Sequence, residues 1–222
     1  MMEIQEAIMA RHAVRKYTDR RIEGGALIAL REEAARCSAQ GNLQIKLVTE
    51  EPGAFSGFVA HYGSFSGVCN YFVLIGKKSP DLQERIGYYG ERVVLKAQQL
   101  GLNSCWVAAT YNKNHCPEKP RKGESLVCVI PVGYGVTPGV PHKNRPMEKL
   151  CRADAPMPEW FRSGVQAAML APTAINQQQF LLTLSGDRVH AETTGGFYSR
   201  VDLGIVKYHF ELGSGRGHEI WI

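Results

Sequence analysis

Basic side chains cluster near the start of the chain in a pattern that could bind an anion. Four cationic or potentially cationic side chains fall within residues 11–16, interrupted by the apolar Ala13 and Val14. An arginine, here Arg11 or Arg15, can hold a phosphate through two hydrogen bonds, and a lysine supplies a point charge. The basic end of a solvated helix would have the same composition. The segment is therefore a candidate anion site, with that plainer alternative open.

A second candidate lies late in the chain, where a helix gives way to a strand. An Ala-rich run at residues 165–170 has helical spacing, and Pro172 ends it because proline cannot join the helical ladder. The apolar run at 180–184 indicates a buried strand. Between them, residues 173–178 offer a hydroxyl, side-chain amides and backbone amides. Loops held between rigid elements often carry binding residues, although a polar helix-to-strand connector would also contain these residue types.

The composition narrows the function classes. The 222 residues are 44% hydrophobic and 21% charged, with a formal net charge of +5, which is typical of a globular protein with a full core. Acidic residues are scattered among the basic ones along the whole chain, and there is no basic run with interleaved aromatics, so we expect no nucleic-acid partner. No apolar run reaches the length of a membrane span, and the first residues do not resemble a secretory signal. We therefore expect a soluble, cytoplasmic protein that does not bind membranes.

The cysteines indicate neither disulfides nor a metal. The six cysteines form no Cys-x-x-Cys pair and no cluster with zinc spacing. Cys69, Cys105 and Cys128 lie in apolar runs, where a free cysteine usually packs as a small hydrophobic residue. The sequence therefore predicts a reduced compartment and no metal ligands.

The first 150 residues contain the elements that must position the basic segment. The expected elements are a short first helix that ends at Arg11, a helix over residues 25–39, a strand at 45–48, an irregular aromatic loop or lid at 50–68, a strand at 69–76, a helix over 82–100 and a strand at 127–135. Small residues follow Trp106, and they would let a planar ring approach the backbone closely. The Pro-rich and basic stretch at 137–146 indicates a crossover between two halves.

The remaining residues predict a shorter second half. Its elements are a connector at 154–158, the helix and loop described above, a hairpin of strands 180–184 and 189–193 across Gly186-Asp187, a helix over 201–212 and a final strand at 218–222. With an offset of 134 residues, Asn42 falls on Asn176 and Gln44 on Gln178. A helix, a polar loop with Asn-x-Gln and a strand thus occur twice. This recurrence indicates a duplicated unit, with the first half at residues 1–150 and the second at 151–222.

Four segments carry recognisable patterns in a fixed order. Residues 11–15 read Arg-x-Ala-x-Arg, and residues 97–102 read Ala-x-x-x-Gly-Leu, followed by Cys-Trp-Val at 105–107. A strand at 130–135 precedes Lys143-x-Arg145-Pro, and residues 172–178 read Pro-Thr-Ala-Ile-Asn-Gln-Gln. Together they resemble the FMN-dependent nitroreductase family, most closely a branch of short chains with two fused, unequal halves. The resemblance implies an α+β fold with a central, mostly antiparallel sheet flanked by helices.

The resemblance also implies a site for FMN, with NAD(P)H as the electron donor. Its cofactor-binding residues would be Arg11, His12, Ala13, Arg15, Trp106, Val107, Ala108, Ala109, Lys143, Arg145, Pro172, Thr173, Ala174, Asn176 and Gln178. The cationic members would meet the phosphate, while His12 and Asn176 could hydrogen-bond the ribityl chain or ring edge. Hydride would pass from NAD(P)H to flavin N5 and then to a small-molecule acceptor in a ping-pong cycle. No catalytic side chain is implied, because the flavin makes and breaks the bonds.

The chain departs from the usual family pattern in ways that bear on the number of sites. The family loop normally occurs early, whereas here the early copy lacks its proline and the complete copy lies at 172–178. The second half has no Arg motif and no Lys-x-Arg segment, and Gln179 replaces a frequent proline. The resemblance thus implies one complete site per chain, with the site near Asn42 empty, in an intramolecular pseudo-dimer that is monomeric or a weak homodimer.

Alternative functions remain open at this stage. The leading expectation is reduction of nitroaromatic, quinone or related acceptors, and related family chemistries include dehalogenation and flavin degradation. A protein of the same fold could instead bind FMN or another anion without turnover. A nucleic-acid partner is the weakest option.

Overall fold

The fold contains five helices and seven strands in the part of the chain that is described here. The computed structural model describes residues 2–57, 63–153 and 156–222. The helices are α1 (Ile4–Ala10), α2 (Gly24–Gly41), α3 (Leu82–Gln99), α4 (Glu159–Ala168) and α5 (Ser199–Ser214). The strands are β1 (Gln44–Val48), β2 (Tyr71–Lys77), β3 (Asn103–Ser104), β4 (Glu124–Gly133), β5 (Cys151–Ala153), β6 (Phe180–Ser185) and β7 (Arg188–Thr193).

The first sheet is fully antiparallel, with the strand order β1-β2-β4-β3. Residues 71–76 of β2 are all buried, which explains why this strand is a continuous apolar run rather than an alternating one. One apolar cluster on the sheet includes residues of α2 and α3, such as Leu30 and Ile86. Another includes the loop residues Phe55, Phe65 and Tyr111. The sheet is therefore covered on both faces.

The second sheet is smaller and belongs mainly to the second half. Its order is β5-β6-β7, with β6 and β7 in an antiparallel hairpin and β5 parallel to β6. Ser185 pairs with Arg188, so Gly186 and Asp187 form the two-residue turn that the sequence predicts. The strands are thus divided between two sheets rather than joined in one central sheet. The segment after β4 carries the chain from the first sheet to the second.

The two halves meet where α3 crosses α5. A Cβ atom on Gly87 of α3 would overlap the carbonyl oxygen of Val201 in α5, and a Cβ on Gly204 of α5 would overlap the carbonyl oxygen of Glu84 in α3. The two glycines therefore allow the helix backbones to touch. Lys207 pairs with Glu84 at 2.5 Å across the same contact. The contact is reciprocal, because each helix offers a glycine to a carbonyl of the other.

Most predicted boundaries agree with the structure to within a few residues, but the predicted strand at 218–222 is wrong. Residues His218–Ile220 form a short 3-10 helix after α5 ends at Gly215 in the left-handed conformation. Trp221 then donates from its indole nitrogen to Glu211 at 2.6 Å, and only one bridge joins it to Val189. The tight turn leaves too little chain to form a ladder. Parts of the predicted lid and connector, residues 58–62 and 154–155, lie outside the described residues.

None of the helices in the described part of the chain combines the length and the hydropathy that a membrane-spanning segment needs.

Candidate functional site

A cavity of about 760 Å³ lies between the two halves. Its walls come from the segment after α1, the segment after β3, the 172–176 part of the late loop and the first turns of α5. The predicted residues that line it are Arg11, His12, Ala13, Arg15, Trp106, Val107, Ala108, Ala109, Pro172, Thr173, Ala174 and Asn176. The structure thus brings together residues from three of the four sequence motifs. Its volume falls in the range of roughly 300–1,000 Å³ that is typical of small-molecule sites.

The basic segment reaches the cavity because α1 ends at Arg11. The Arg11 N–H still bonds to the carbonyl of Ala7, and the backbone then becomes extended. Val14 N–H bonds to the Ser104 carbonyl at 3.0 Å, which fixes the segment beside β3. As a result Arg11 is buried against the cavity, whereas Arg15 is exposed at its edge.

Behind Arg11 lies a buried cluster that links both halves. Glu91 of α3 is fully buried, and its Oε1 lies 3.8 Å from Arg11 Nε and 2.9 Å from His209 Nε2 of α5. The Trp106 indole nitrogen donates to Glu91 Oε2 at 2.8 Å. Among the described residues, Arg11 Nε has no hydrogen-bond partner. A single carboxylate therefore orients two residues of the cavity wall.

The hydrogen-bond pattern fixes the net charge of this cluster. His209 Nδ1 lies 3.1 Å from the Ala167 carbonyl oxygen. That oxygen can only accept, so Nδ1 carries a hydrogen. The contact between Nε2 and Glu91 Oε1 then holds one proton, either as imidazolium with carboxylate or as imidazole with carboxylic acid. The pair is neutral in both forms. With the arginine charged, the cluster carries a net charge of +1 beside the cavity.

Burial shifts the pKa values of three titratable groups in this wall. Burial lowers the pKa of the Arg11 guanidinium, and the Glu91 carboxylate opposes that change. Burial also lowers the pKa of His12, and the Arg11 charge lowers it further. Burial raises the pKa of the Cys105 thiol. His12 is therefore mainly neutral near pH 7, while Arg11 keeps its charge.

Small residues form the wall that follows β3. Val107 pairs with Val129 of β4, which extends the sheet edge past β3. Trp106 packs closely against α3, because a Cβ on Gly90 would overlap its ring. Beyond this point Ala108 and Ala109 present only methyl groups to the cavity. A planar ring could therefore approach the backbone here, as the sequence predicts.

The late loop has an unusual backbone. Ile175, Asn176 and Gln178 all have positive φ values, at 45°, 58° and 46°. The left-handed region is uncommon for residues other than glycine and strained for a β-branched one. Strained backbone of this kind tends to occur at binding sites when the surrounding structure holds it in place.

Side-chain amides fasten this loop to the crossover between the halves. Asn176 Nδ2 and Gln178 Nε2 both donate to the Lys143 carbonyl oxygen at 2.9 Å. Gln178 Oε1 accepts from the Arg145 N–H, and Arg145 Nη1 donates to the Gln178 carbonyl at 3.1 Å.

Lys143, Arg145 and Gln178 do not line the cavity. Lys143 offers its backbone carbonyl to the loop while its side chain is exposed, and the Arg145 guanidinium contacts the Gln178 carbonyl. Gln178 is buried beneath the loop. These contacts give the three residues a role in shaping the loop, and a direct contact with a ligand stays a prediction.

Asp202 anchors the loop from α5. Its carboxylate accepts the Ala174 N–H at 3.0 and 3.1 Å and the Gln177 side-chain amide at 2.8 Å. Burial raises the pKa of this carboxyl to about 6, although the hydrogen bonds from Gln177 and Ala174 oppose the shift.

An apolar rim surrounds the mouth of the cavity. Val140, Ile175, Phe197 and Tyr198 line it and leave much of their side chains exposed, with Ile175 81% exposed. Exposed apolar side chains grouped around a cavity are typical of a binding site for an apolar molecule. The rim includes residues of the crossover, the late loop and the segment before α5.

Sequence reasoning missed Glu91, His209 and Asp202, as well as the rim residues Phe197 and Tyr198. Glu91 and His209 were the detectable ones, since each interrupts the apolar face of a predicted helix: Glu91 lies near Gly87, Gly90 and Val94. A charge on a core-facing position requires a partner. No local pattern marks Phe197 or Tyr198, because only the fold brings the β7–α5 connection to the cavity.

The comparisons with known proteins agree on one family. The family model described as "Putative TM nitroreductase" matches residues 3–214. No curated protein matches the sequence. A solved "putative nitroreductase" of Thermotoga maritima MSB8 is 24% identical with a TM-score of 0.62, and the match covers 96% of this chain and 83% of that one.

Two other solved structures share the fold at lower identity. A "putative nitroreductase" of Desulfovibrio desulfuricans, solved in complex with FMN, is 16% identical with a TM-score of 0.54, covering 67% of this chain and 95% of that one. A "Putative NADH dehydrogenase/NAD(P)H nitroreductase" of Parabacteroides distasonis ATCC 8503 is 18% identical with a TM-score of 0.51, covering 68% and 97%. The predicted α+β nitroreductase-like fold is confirmed.

Proposed function

The chain belongs to this nitroreductase family, and from that premise we propose that it is an FMN-dependent oxidoreductase. It would use NAD(P)H to reduce nitroaromatic, quinone or related acceptors. The observation that carries the proposal is the cavity between the halves, where the charged Arg11 and a wall of small residues border the same space. That the Desulfovibrio desulfuricans protein was solved in complex with FMN supports the choice of cofactor.

The phosphate of FMN matches the basic end of the cavity. Arg11 Nε is buried without a hydrogen-bond partner among the described residues, and a buried donor of this kind gains by binding an acceptor. Together with the neutral Glu91–His209 pair behind it, Arg11 gives this wall a net charge of +1, which complements an anion. Arg15 at the cavity edge adds a second guanidinium. We assign Arg11 and Arg15 to the anionic group, and Glu91 to holding Arg11 in place.

The flat, mostly apolar isoalloxazine ring matches the small residues of the remaining wall. Trp106 is fixed by Glu91 and by its packing against α3, while Ala108 and Ala109 leave room for a flat ring. The late loop would cover another part of the flavin with Thr173 and Asn176. Because this loop belongs to the second half, the binding of one flavin would require both halves.

The bound flavin would supply the redox chemistry by taking a hydride from NAD(P)H and passing it to an acceptor in a ping-pong cycle. The chain itself binds and orients the reactants. The rim of Val140, Ile175 and Phe197 would exclude water from the ring and receive flat, apolar acceptors. The positive charge at Arg11 would favour binding of the anionic phosphate end of FMN. No side chain is assigned a catalytic proton transfer.

The arrangement of the halves supports a further part of the proposal. Each half contains a helix, an antiparallel strand pair and a second helix, and the second helices meet through reciprocal glycine contacts. We propose that residues 1–150 and 151–222 correspond to the two subunits of a dimer fused in one chain. The protein would then be a monomer, or at most a weak homodimer, with one FMN per chain.

A binder without turnover is the second candidate, because the Arg11 cluster would hold an anion whether or not a reaction follows. The visible spectrum separates the two. We expect flavin absorbance in the purified or FMN-reconstituted protein, and bleaching after anaerobic addition of NADPH or NADH. Flavin peaks that persist with both donors would favour the binder. A protein that neither contains nor takes up FMN would contradict both.

A further inference from the structure

Asp202 has contacts that the proposed flavin chemistry does not explain. It lies in the first turns of α5 and is only 4% exposed. Both of its carboxylate oxygens accept the Ala174 N–H, and Oδ2 also accepts the side-chain amide of Gln177. Gln177 in turn donates to the Phe197 carbonyl at 2.8 Å. The carboxylate thus connects α5 to the late loop and, through Gln177, to the rim.

The loop that it contacts needs external support. Three of its residues have positive φ, and one of these, Ile175, is β-branched and almost fully exposed. An exposed Ile side chain cannot hold the backbone by packing. Hydrogen bonds from outside the loop must therefore stabilise its conformation, and those to Asp202 are charge-assisted and hence among the strongest.

The surroundings of Asp202 offer no opposite charge within ion-pair distance. Among the described residues it forms no salt bridge, and the titratable group facing it from β4 is Cys128, whose pKa is raised by burial and further by the Asp202 charge. The other charged or titratable groups that line the cavity are Arg11, His12, Arg15, Cys105, His142 and Tyr198. Burying a carboxylate without a counter-charge is costly. The loop donors are its main compensation.

We propose that Asp202 is a positioning residue, whose carboxylate holds the 173–178 loop in the strained conformation that faces the bound FMN. The part that concerns FMN rests on the proposed function, whereas the part that concerns the loop does not. Protonation would replace a double acceptor by a group with one acceptor oxygen and one donor. Because burial raises the pKa of Asp202 to about 6, the loop is held firmly above that pH and less firmly below it.

The first test uses the protein without flavin. Amide hydrogen exchange of residues 173–178 is measured near pH 7 for the native chain, Asp202→Asn and Asp202→Ala. We expect loss of protection at the Ala174 amide in Asp202→Ala, at least about tenfold, as for one charge-assisted hydrogen bond. Asp202→Asn should show a smaller loss, since its oxygen still accepts from Ala174. Equal protection in all three proteins would overturn the proposal.

Arg85→Gln provides the matched control. Arg85 of α3 donates to the carbonyls of Gly41 and Asn42, in the corresponding loop of the first half. Its replacement should reduce protection around residue 42 and leave the Ala174 amide unchanged. Loss of protection at Ala174 in this variant as well would mean that the loop responds to general destabilisation, which would also count against Asp202.

The second test measures FMN affinity between pH 5 and 8. The FMN phosphate also titrates in this range, so the informative quantity is the difference between the native chain and Asp202→Asn. We expect the native chain to lose about tenfold more affinity than the variant as the pH falls through 6. Riboflavin, which has no phosphate, should show the same difference. Parallel pH profiles would refute the link between Asp202 and the flavin.

These tests separate failure of the inference from failure of the proposed function. A native protein that binds neither FMN nor riboflavin would contradict the proposed function, and the exchange experiment would still decide whether Asp202 holds the loop. A native protein that binds FMN, with loop protection and pH profile both unaffected by the Asp202 variants, would contradict the inference alone.

Discussion

Two loops of the molecule follow a helix, contain an asparagine and precede a strand, yet they have different surroundings. The first connects α2 to β1, where Asn42 adopts the left-handed conformation that ends the helix. Arg85 Nη1 donates to the carbonyls of Gly41 and Asn42 at 2.6 and 3.3 Å. Tyr89 packs so closely that a Cβ on Gly41 would come within 2.5 Å of its ring. This loop is filled by the protein's own side chains.

The second loop, at residues 173–178, borders the cavity and is held by an anion instead of a cation. Asp202 accepts from its amide groups, whereas Arg85 donates to carbonyls of the first loop. Asp202 lies 117 residues after Arg85, the same spacing that separates Gly204 from Gly87. Under the proposed duplication these two positions correspond to each other, and they carry opposite charges. On that proposal, one backbone plan would give a helix end filled by side chains in the first half and a loop that borders the cavity in the second.

The largest expected effect concerns the contact on which this equivalence rests. Gly87→Ala and Gly204→Ala should each lower the free energy of unfolding by about 3 kcal/mol, because the new methyl group overlaps a carbonyl of the facing helix. Urea unfolding measures the loss. Gly25→Ala in α2 is the control, since a Cβ there meets nothing within 4 Å and should stabilise by about 0.5–1 kcal/mol. Unequal losses at the two central glycines would weaken the claim that the halves are equivalent.

Because an acidic residue, Asp202, holds the second loop, we expect this residue to make the stability of the protein depend on pH. Asp202 has a pKa of about 6 in the folded protein against 3.8 as its ordinary value. The folded state therefore binds more protons between about pH 4 and 6, and the contribution of this residue to stability falls as the pH rises through that window, by up to about 3 kcal/mol.

Urea unfolding at pH 4.5 and 6.5 tests this prediction. The free energy of unfolding should fall by the same amount from pH 4.5 to pH 6.5 in the native chain and in Arg85→Gln. In Asp202→Asn it should fall by less. The other carboxylates titrate alike in the native chain and Asp202→Asn and cancel in that comparison. In Arg85→Gln the Asp81 carboxylate loses its ion-pair partner, but its pKa in the native fold is lowered from 3.8 and so lies below the two pH values compared. Identical slopes for the native chain and Asp202→Asn would mean that Asp202 ionises as freely in the fold as in the unfolded chain.

The next effect concerns the basic segment of the first half, which has no counterpart in the second half. Arg11→Ala should weaken FMN binding about 10- to 100-fold, because charge-assisted hydrogen bonds of roughly 1.5–3 kcal/mol are removed. Arg11→Lys should be intermediate, since an ammonium keeps the charge without the fork. Flavin fluorescence titration measures both.

Two controls accompany the Arg11 variants. Arg31→Ala, at an exposed position of α2, should leave FMN affinity unchanged. Removing Arg11 also leaves the buried Glu91 without its guanidinium neighbour, so thermal unfolding must show that each variant is folded at the titration temperature. Native affinity in folded Arg11→Ala would refute the role of Arg11 as an anion anchor.

The sequence predicted the elements well because their signals are local. Apolar periodicity indicated α3, β2 and β4, and Gly186-Asp187 indicated the hairpin turn. The basic segment and the late loop were identified from residue types, and the fold brings both to one cavity. Local signals of this kind do not depend on how the halves meet.

The parts that could not be predicted depend on contacts between distant segments. Glu91 and His209 are 118 residues apart, and only the crossing of α3 and α5 joins them. The division into two sheets was missed because the crossover itself has no periodicity. The final residues were wrongly predicted as a strand, since their apolar pattern reflects the packing of Trp221 against Glu211 rather than a ladder.

The smallest expected effect separates the two loops most directly. Asn176→Ala should weaken FMN binding by up to about tenfold, because its side chain lines the cavity and donates to the Lys143 carbonyl. Asn42→Ala should leave FMN affinity unchanged and lower stability by about 0.5–1 kcal/mol, because alanine tolerates the left-handed helix end less well than asparagine. Absorbance of the saturated native protein should give one FMN per chain. Two flavins per chain, or a loss of affinity in Asn42→Ala, would show that the first loop also binds flavin despite the contacts of Arg85 and Tyr89.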